Sequence, residues 1–176
     1  MTDFRLQPFN QDDDWAIEIT GKIVRSGKLL SIGYQLSGDI QSVEIVSLAP
    51  TPERKFHLWE ATCFEFFVGI PGTKNYWEFN LAPSGDWNVF HLDDYRQGLR
   101  DELAFRALPF ILKQQEDLFS LALEFDLTKI IAVEQQIEVS ITTVIKSTQA
   151  NISYLALTHC AAEADFHQRD SFTLKL

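Results

Sequence analysis

Glu65, Glu78 and Asn80 lie within one aromatic stretch, Thr62 to Asp93. Their types suit the recognition of hydroxyl-bearing ligands. Aromatic rings offer flat apolar area to the C–H face of a sugar, while carboxylates and amides take its hydroxyls in directed hydrogen bonds that separate one epimer from another. A second chemistry shares the same residues. Two carboxylates on neighbouring strands, with Cα atoms roughly 7 to 8 Å apart as diagonal neighbours, resemble the pair that glycoside hydrolysis needs. The plain alternative is a solvated strand face that happens to carry charge.

The elements that position these residues follow from alternation and turn chemistry. TCFEFFVGI, NYWEFNLA and WNVFHLDD read as three successive strands joined at Pro71 to Lys74 and Pro83 to Asp86. Across the first turn, Phe64 faces Leu81, Phe66 faces Phe79 and Val68 faces Trp77, which gathers apolar side chains on one face. Glu65 then faces Asn80 and Phe67 faces Glu78 on the other. Taking the second turn as four residues sets Ala82 against Trp87, Asn80 against Val89 and Glu78 against His91. The expected polar face therefore displays Glu65, Phe67, Tyr76, Glu78, Asn80, Trp87 and His91, with Asn88 the one polar residue on the apolar side. Trp59 and Arg96, from flanking segments, reach over it.

The rest of the chain frames that stretch with more strands. Phe4 to Phe9, Ala16 to Arg25, Leu29 to Leu36, Ile40 to Leu48, Phe105 to Lys113, Leu118 to Phe125, Ile137 to Ile145 and Ile152 to Thr158 all read as strands. Pro109 limits its strand to an edge or a bulge. Asp126 caps a single helical turn, Ser171 to Leu176 closes the sheet, and Tyr95 to Leu103 is a helical turn or an irregular excursion. Strands spaced near ten residues apart, with no long helical pattern, predict an all-β fold: an antiparallel β-sandwich, immunoglobulin-like or jelly-roll-like, of about ten strands with at most one or two short helical turns.

The 176 residues and 20.2 kDa fit one domain spanning 1–176. A formal net charge of −10 and a pI near 4.8 repel phosphate backbones and anionic lipid, so neither nucleic acid nor a membrane is an expected partner. A neutral or cationic small molecule fits better. The opening MTDFRLQPFNQDDDW has no basic or apolar leader pattern, and Cys63 and Cys160 do not make a disulfide framework, so a cytoplasmic location is expected.

The four histidines, His57, His91, His159 and His167, show no metal-ligand spacing, and Asp12, Asp13 and Asp14 lack the alternating oxygen ligands of a calcium loop. No metal or cofactor is expected. His159 and His167, with Asp165 and Arg169, either pin the turn before the last strand or line the pocket rim. Motifs for nucleophilic, phosphoryl-transfer, dinucleotide and metalloprotease chemistry are absent.

YWEFNLAPSGDWNVF followed by Tyr95-Arg96-Gln97-Gly98, and later His159, Asp165-Phe166-His167 and Ser171-Phe172, resemble the bacterial DOMON-like domains related to family 9 carbohydrate-binding modules. The resemblance implies a sandwich that binds a sugar, a haem or another small ligand in a pocket at one sheet. Haem-binding relatives pair Met with His or Lys as axial ligands, whereas the only methionine here is Met1. The expected function is non-enzymatic binding of a small ligand, a saccharide first, through Trp59, Glu65, Glu78, Asn80, Trp87, His91, Arg96, His159 and His167. A carboxylate-dependent glycoside-acting enzyme and a purely structural or interaction module are the alternatives.

Overall fold

The computed structural model describes residues 1–10 and 16–176; the run of aspartates at 12–14 lies outside the described residues. The strands are β1 (Thr2–Arg5), β2 (Gln7–Pro8), β3 (Ile17–Ser26), β4 (Leu29–Gly38), β5 (Cys63–Gly69), β6 (Tyr76–Leu81), β7 (Trp87–Leu92), β8 (Arg100–Asp101), β9 (Phe110–Gln114), β10 (Leu118–Asp126), β11 (Glu138–Lys146), β12 (Ile152–Ala156) and β13 (Leu174–Lys175). Ten of these have four residues or more, and three have two. Among the described residues, helical structure is limited to four single 3-10 turns, two more than the sequence predicts. At the expected one, Asp126 accepts the Thr128 N–H at 3.0 Å.

The strands form an antiparallel β-sandwich. One sheet runs β1-β3-β4-β10-β9, and the other runs β2-β12-β11-β5-β6-β7-β8 with β13 also on β11. β10 alternates buried and exposed side chains as a strand with one solvated face must. Between the sheets, Phe66 stacks on its cross-strand partner Phe79 at 4.4 Å, and Phe79 meets Phe125 of the opposite sheet at 4.9 Å. Burying each such ring is worth about 1.5–3 kcal/mol. Tyr34 also lies in this core, and its hydroxyl donates to the Glu65 carbonyl across the sheets at 2.7 Å, which gives that buried hydroxyl a partner.

Three expected strands are not formed as drawn: Phe4 to Phe9 divides into β1 and β2, which join different sheets. Ile40 to Leu48 holds a 3-10 turn at Ile40–Ser42 and then irregular chain, and the strand expected from Phe105 begins only at Phe110, after Pro109. Tyr95 to Leu103 is an excursion that contributes the two-residue β8.

The β5–β6 register is the expected one, from Phe64 opposite Leu81 to Gly69 opposite Tyr76. The β6–β7 register is displaced by one residue: Leu81 faces Trp87, Asn80 faces Asn88, Glu78 faces Phe90 and Trp77 faces His91. Gly85 N–H donates to the Ala82 carbonyl while Ala82 N–H donates to the Asp86 carbonyl, both at 2.9 Å. Gly85 and Asp86 thus both oppose Ala82 in a glycine bulge, with Gly85 at φ +86°. That extra residue turns β7 over. Trp87 and Val89 enter the inter-sheet core, Phe90 and Leu92 go to the outer face, and Asn88 leaves the apolar side.

The outer face of β5–β7 is covered, not open to solvent as the alternation suggests. Phe67, Tyr76, Phe90 and Leu92 form a second apolar cluster with Phe172, and Trp59 and Phe166 pack against it. Three segments supply the cover: the turn Leu58–Glu60, residues 93–99, and residues 164–172. Every residue of β5 and β6 is consequently buried.

Candidate functional site

Beneath that cover lies a cavity of about 370 Å³. Glu65, Phe67 and Glu78 form its floor, and Trp59, Leu92, Phe166 and His167 its walls. Arg96, Leu99 and Tyr154, all exposed, stand at its mouth. Strand geometry explains the floor, because Glu65 and Phe67 alternate with core-facing Phe64, Phe66 and Val68, and β6 supplies Glu78 by the same alternation.

Glu65 and Glu78 are only 2% and 5% exposed. Asn80 Nδ2 donates to Glu78 Oε1 at 2.7 Å, while Glu65 Oε1 has no hydrogen-bond partner among the described residues. Burial pushes the Glu65 carboxyl well above the usual carboxylate range, the neighbouring charge of Glu78 adds to the effect, and the Cys63 and Thr142 side chains beside it pull the other way. Burial likewise pushes Glu78 up to about 7, against the opposing pull of the Asn80 hydrogen bond and the positive charge of Arg96. Two like charges sharing a buried floor disfavour double ionisation, so the pair retains a proton near neutral pH.

His167 stands over the pair, with Nε2 4.0 Å from Glu78 Oε2. Its Nδ1 meets the Tyr76 hydroxyl at 2.8 Å, and the same hydroxyl accepts the Arg96 N–H at 3.3 Å. With Tyr76 donating to Nδ1, the imidazole keeps its proton on Nε2, facing Glu78. Burial, and then Arg96, bring His167 down to about 4, so the ring is neutral.

Asp165 fastens the cover. It accepts from Tyr95 Oη at 2.6 Å, Arg96 Nη2 at 2.9 Å, Gln168 Nε2 at 2.9 Å and the His167 N–H at 3.0 Å. Burial works against its ionised form, but these hydrogen bonds outweigh that cost and hold Asp165 at about 2. Arg96 adopts a left-handed backbone at φ 52°, which aims its side chain back over the cavity toward Asp165.

Of the expected binding residues, the structure brings Trp59, Glu65, Glu78, Arg96 and His167 to the cavity, with Asn80 fully buried behind Glu78. Three lie elsewhere. Trp87 is in the inter-sheet core with the Arg54 guanidinium 4.4 Å above its ring. His91, turned over with it, packs edge-on against Trp77 at 5.0 Å. His159 Nε2 lies 2.9 Å from the Gln7 carbonyl and pins the edge strand β2. Sequence reasoning placed Phe67 on this face and Asp165 in the turn or at the pocket rim, but omitted Leu92, Tyr154 and Phe166 from the site. Tyr154 was within reach, since it pairs with Val144 in the β11–β12 hairpin; Leu92 was not, because its face depends on the Gly85 bulge.

Among the described residues, no group of three or more His, Cys, Asp or Glu side chains could hold a metal ion, and no helix is long and apolar enough to cross a membrane. No protein-family model and no curated protein matches the chain. Among solved structures, the fold is similar to that of a Bacteroides uniformis ATCC 8492 protein described as a "putative carbohydrate-binding protein", with a TM-score of 0.78 and 14% identity over 98% of this chain and 84% of that one. At that identity the likeness is one of fold.

Proposed function

We propose that this chain is a single-domain, DOMON-like binding module that takes a small polar ligand, a saccharide, into the cavity over β5 and β6. The observation that carries this reading is the Glu65–Glu78 pair: buried carboxyls, one oxygen unpartnered, at the floor of an aromatic-walled cavity. A buried polar atom without a partner costs about 1–3 kcal/mol, which a ligand hydroxyl or amine would recover. Trp59, Phe67 and Phe166 offer ring faces and edges to the ligand's C–H surface, and Arg96 closes over it from the mouth. The fold shared with the B. uniformis protein is consistent with this use of the sheet. Free thiols, Cys63 buried and Cys160 exposed, fit a reducing compartment such as the cytoplasm. A glycan array probed with wild type and Glu78→Ala tests the reading. Selective sugar binding lost in the variant supports it, and equal binding by both, or none by wild type, sinks it.

A second reading has one observation in its favour. A carboxyl raised to about 7 beside a second carboxyl is the arrangement by which a glycosidase keeps a general acid protonated. Turnover of chromogenic glycosides, abolished by Glu65→Gln or Glu78→Gln in folded protein, would select catalysis over binding.

A further inference from the structure

Charge at the cavity floor narrows the ligand class. Glu65 and Glu78 face one cavity, and apart from the Cys63 and Thr142 side chains beside Glu65 the groups around them offer little compensation. Arg96 is engaged by Asp165 at 2.9 Å, His167 is neutral, Tyr76 and Cys63 carry no positive charge, and no lysine lines the cavity. Glu65 Oε1 is buried without a partner, and Glu78 has one oxygen bound to Asn80 and the other beside the His167 edge at 4.0 Å. A neutral hydroxyl could satisfy one oxygen but would leave the second carboxyl's charge unbalanced. A primary ammonium brings three donors and one positive charge, and aromatic rings beside it add cation–π attraction.

We propose that the ligand carries an ammonium group that seats between Glu65 and Glu78, as on an amino sugar; this rests on the reading of the cavity as a saccharide site. On binding, the N–H groups donate to the two carboxylates and the proton held by the pair leaves to solvent. Charge balances, since one cation enters as one proton departs. N-acetylation removes that charge and two of the three donors, so it abolishes the preference.

Calorimetric titration at pH 7 tests this with two matched sets: glucose, glucosamine and N-acetylglucosamine, then cellobiose, the chitosan dimer and chitobiose. Each runs in two buffers of different ionisation heat, with 2-aminocyclohexanol as an amine that is not a sugar. The expected result is about tenfold or tighter binding of the amines, with about one proton released per ligand, as a charge-assisted contact implies. Glu65→Gln should bring amine and neutral sugar to parity; should that variant not fold, the wild-type comparison and proton count decide alone. Neutral or N-acetyl sugars binding as well as the amines, or no amine binding, overturns the inference, and in the first case the saccharide reading stands. If 2-aminocyclohexanol binds as tightly as glucosamine, the inference holds and the saccharide reading falls.

Discussion

Asn80 Nδ2 donates to Glu78 Oε1 at 2.7 Å. This one bond holds a buried carboxyl in place while leaving Glu65 Oε1 without a partner. An unfulfilled acceptor facing a cavity is a cost that folding alone does not explain, and the proposed ligand would recover it.

Two of the tryptophans, Trp59 and Trp87, should respond in opposite ways. Trp87 is in the inter-sheet core, so Trp87→Ala should cost about 3–5 kcal/mol of stability. Trp59 is half-buried on the cavity wall, and Trp59→Ala should leave the unfolding midpoint much closer to wild type while weakening sugar binding. Denaturant unfolding paired with titration checks both, and a strong binding loss in folded Trp87→Phe with none in Trp59→Ala would reverse the assignment.

Stability should fall as pH rises from about 4 to 8, in the part that the carboxyl pair controls. An unfolded glutamate titrates near about 4.3, whereas Glu78 in the fold titrates at about 7 and Glu65 is also raised. Between those values the native state holds more protons than the unfolded state, so the stabilisation is complete below the unfolded value and is lost as pH climbs through the folded one. Melting temperatures of wild type and Glu78→Gln at pH 5 and pH 8 check the sign. The variant should lose less on going to pH 8, and an equal or larger loss contradicts the titration assigned to Glu78.

Asp165 has the opposite sign. Held at about 2, below the unfolded value near 3.9, it stabilises the fold above that value and loses this contribution as pH drops through about 2. Asp165→Asn, which weakens its charge-assisted bonds to Arg96 and the His167 N–H, should cost about 1.5–3 kcal/mol at pH 7 and much less at pH 2. Hydrogen exchange should quicken at residues 93–98 and 165–168 first. Uniform exchange across all strands would mean that Asp165 does not fasten the cover.

The sandwich and the β5–β6 register were legible because Phe64, Phe66 and Val68 alternate cleanly with Cys63, Glu65 and Phe67, and one slip would exchange core and carboxylate. The β6–β7 register was not. WNVFHL is apolar at both phases, so its pattern permits either face, and the choice rests on Gly85 entering a bulge. The cover was also hidden. Phe172 packs against Tyr76 at 5.6 Å from nearly a hundred residues away, and Asp165 joins segments about seventy residues apart, relationships that strand periodicity does not encode. The sequence therefore exposed the two carboxyls but not the cavity that encloses them.

The most direct measurement is a calorimetric titration of wild type, Glu65→Gln and Glu78→Gln with the tightest-binding sugar from a broad glycan panel, each protein first shown folded by its melting curve. Loss of a charge-assisted contact should weaken binding in either variant by roughly tenfold to a hundredfold. Affinity unchanged in both folded variants would contradict a binding site on Glu65 and Glu78.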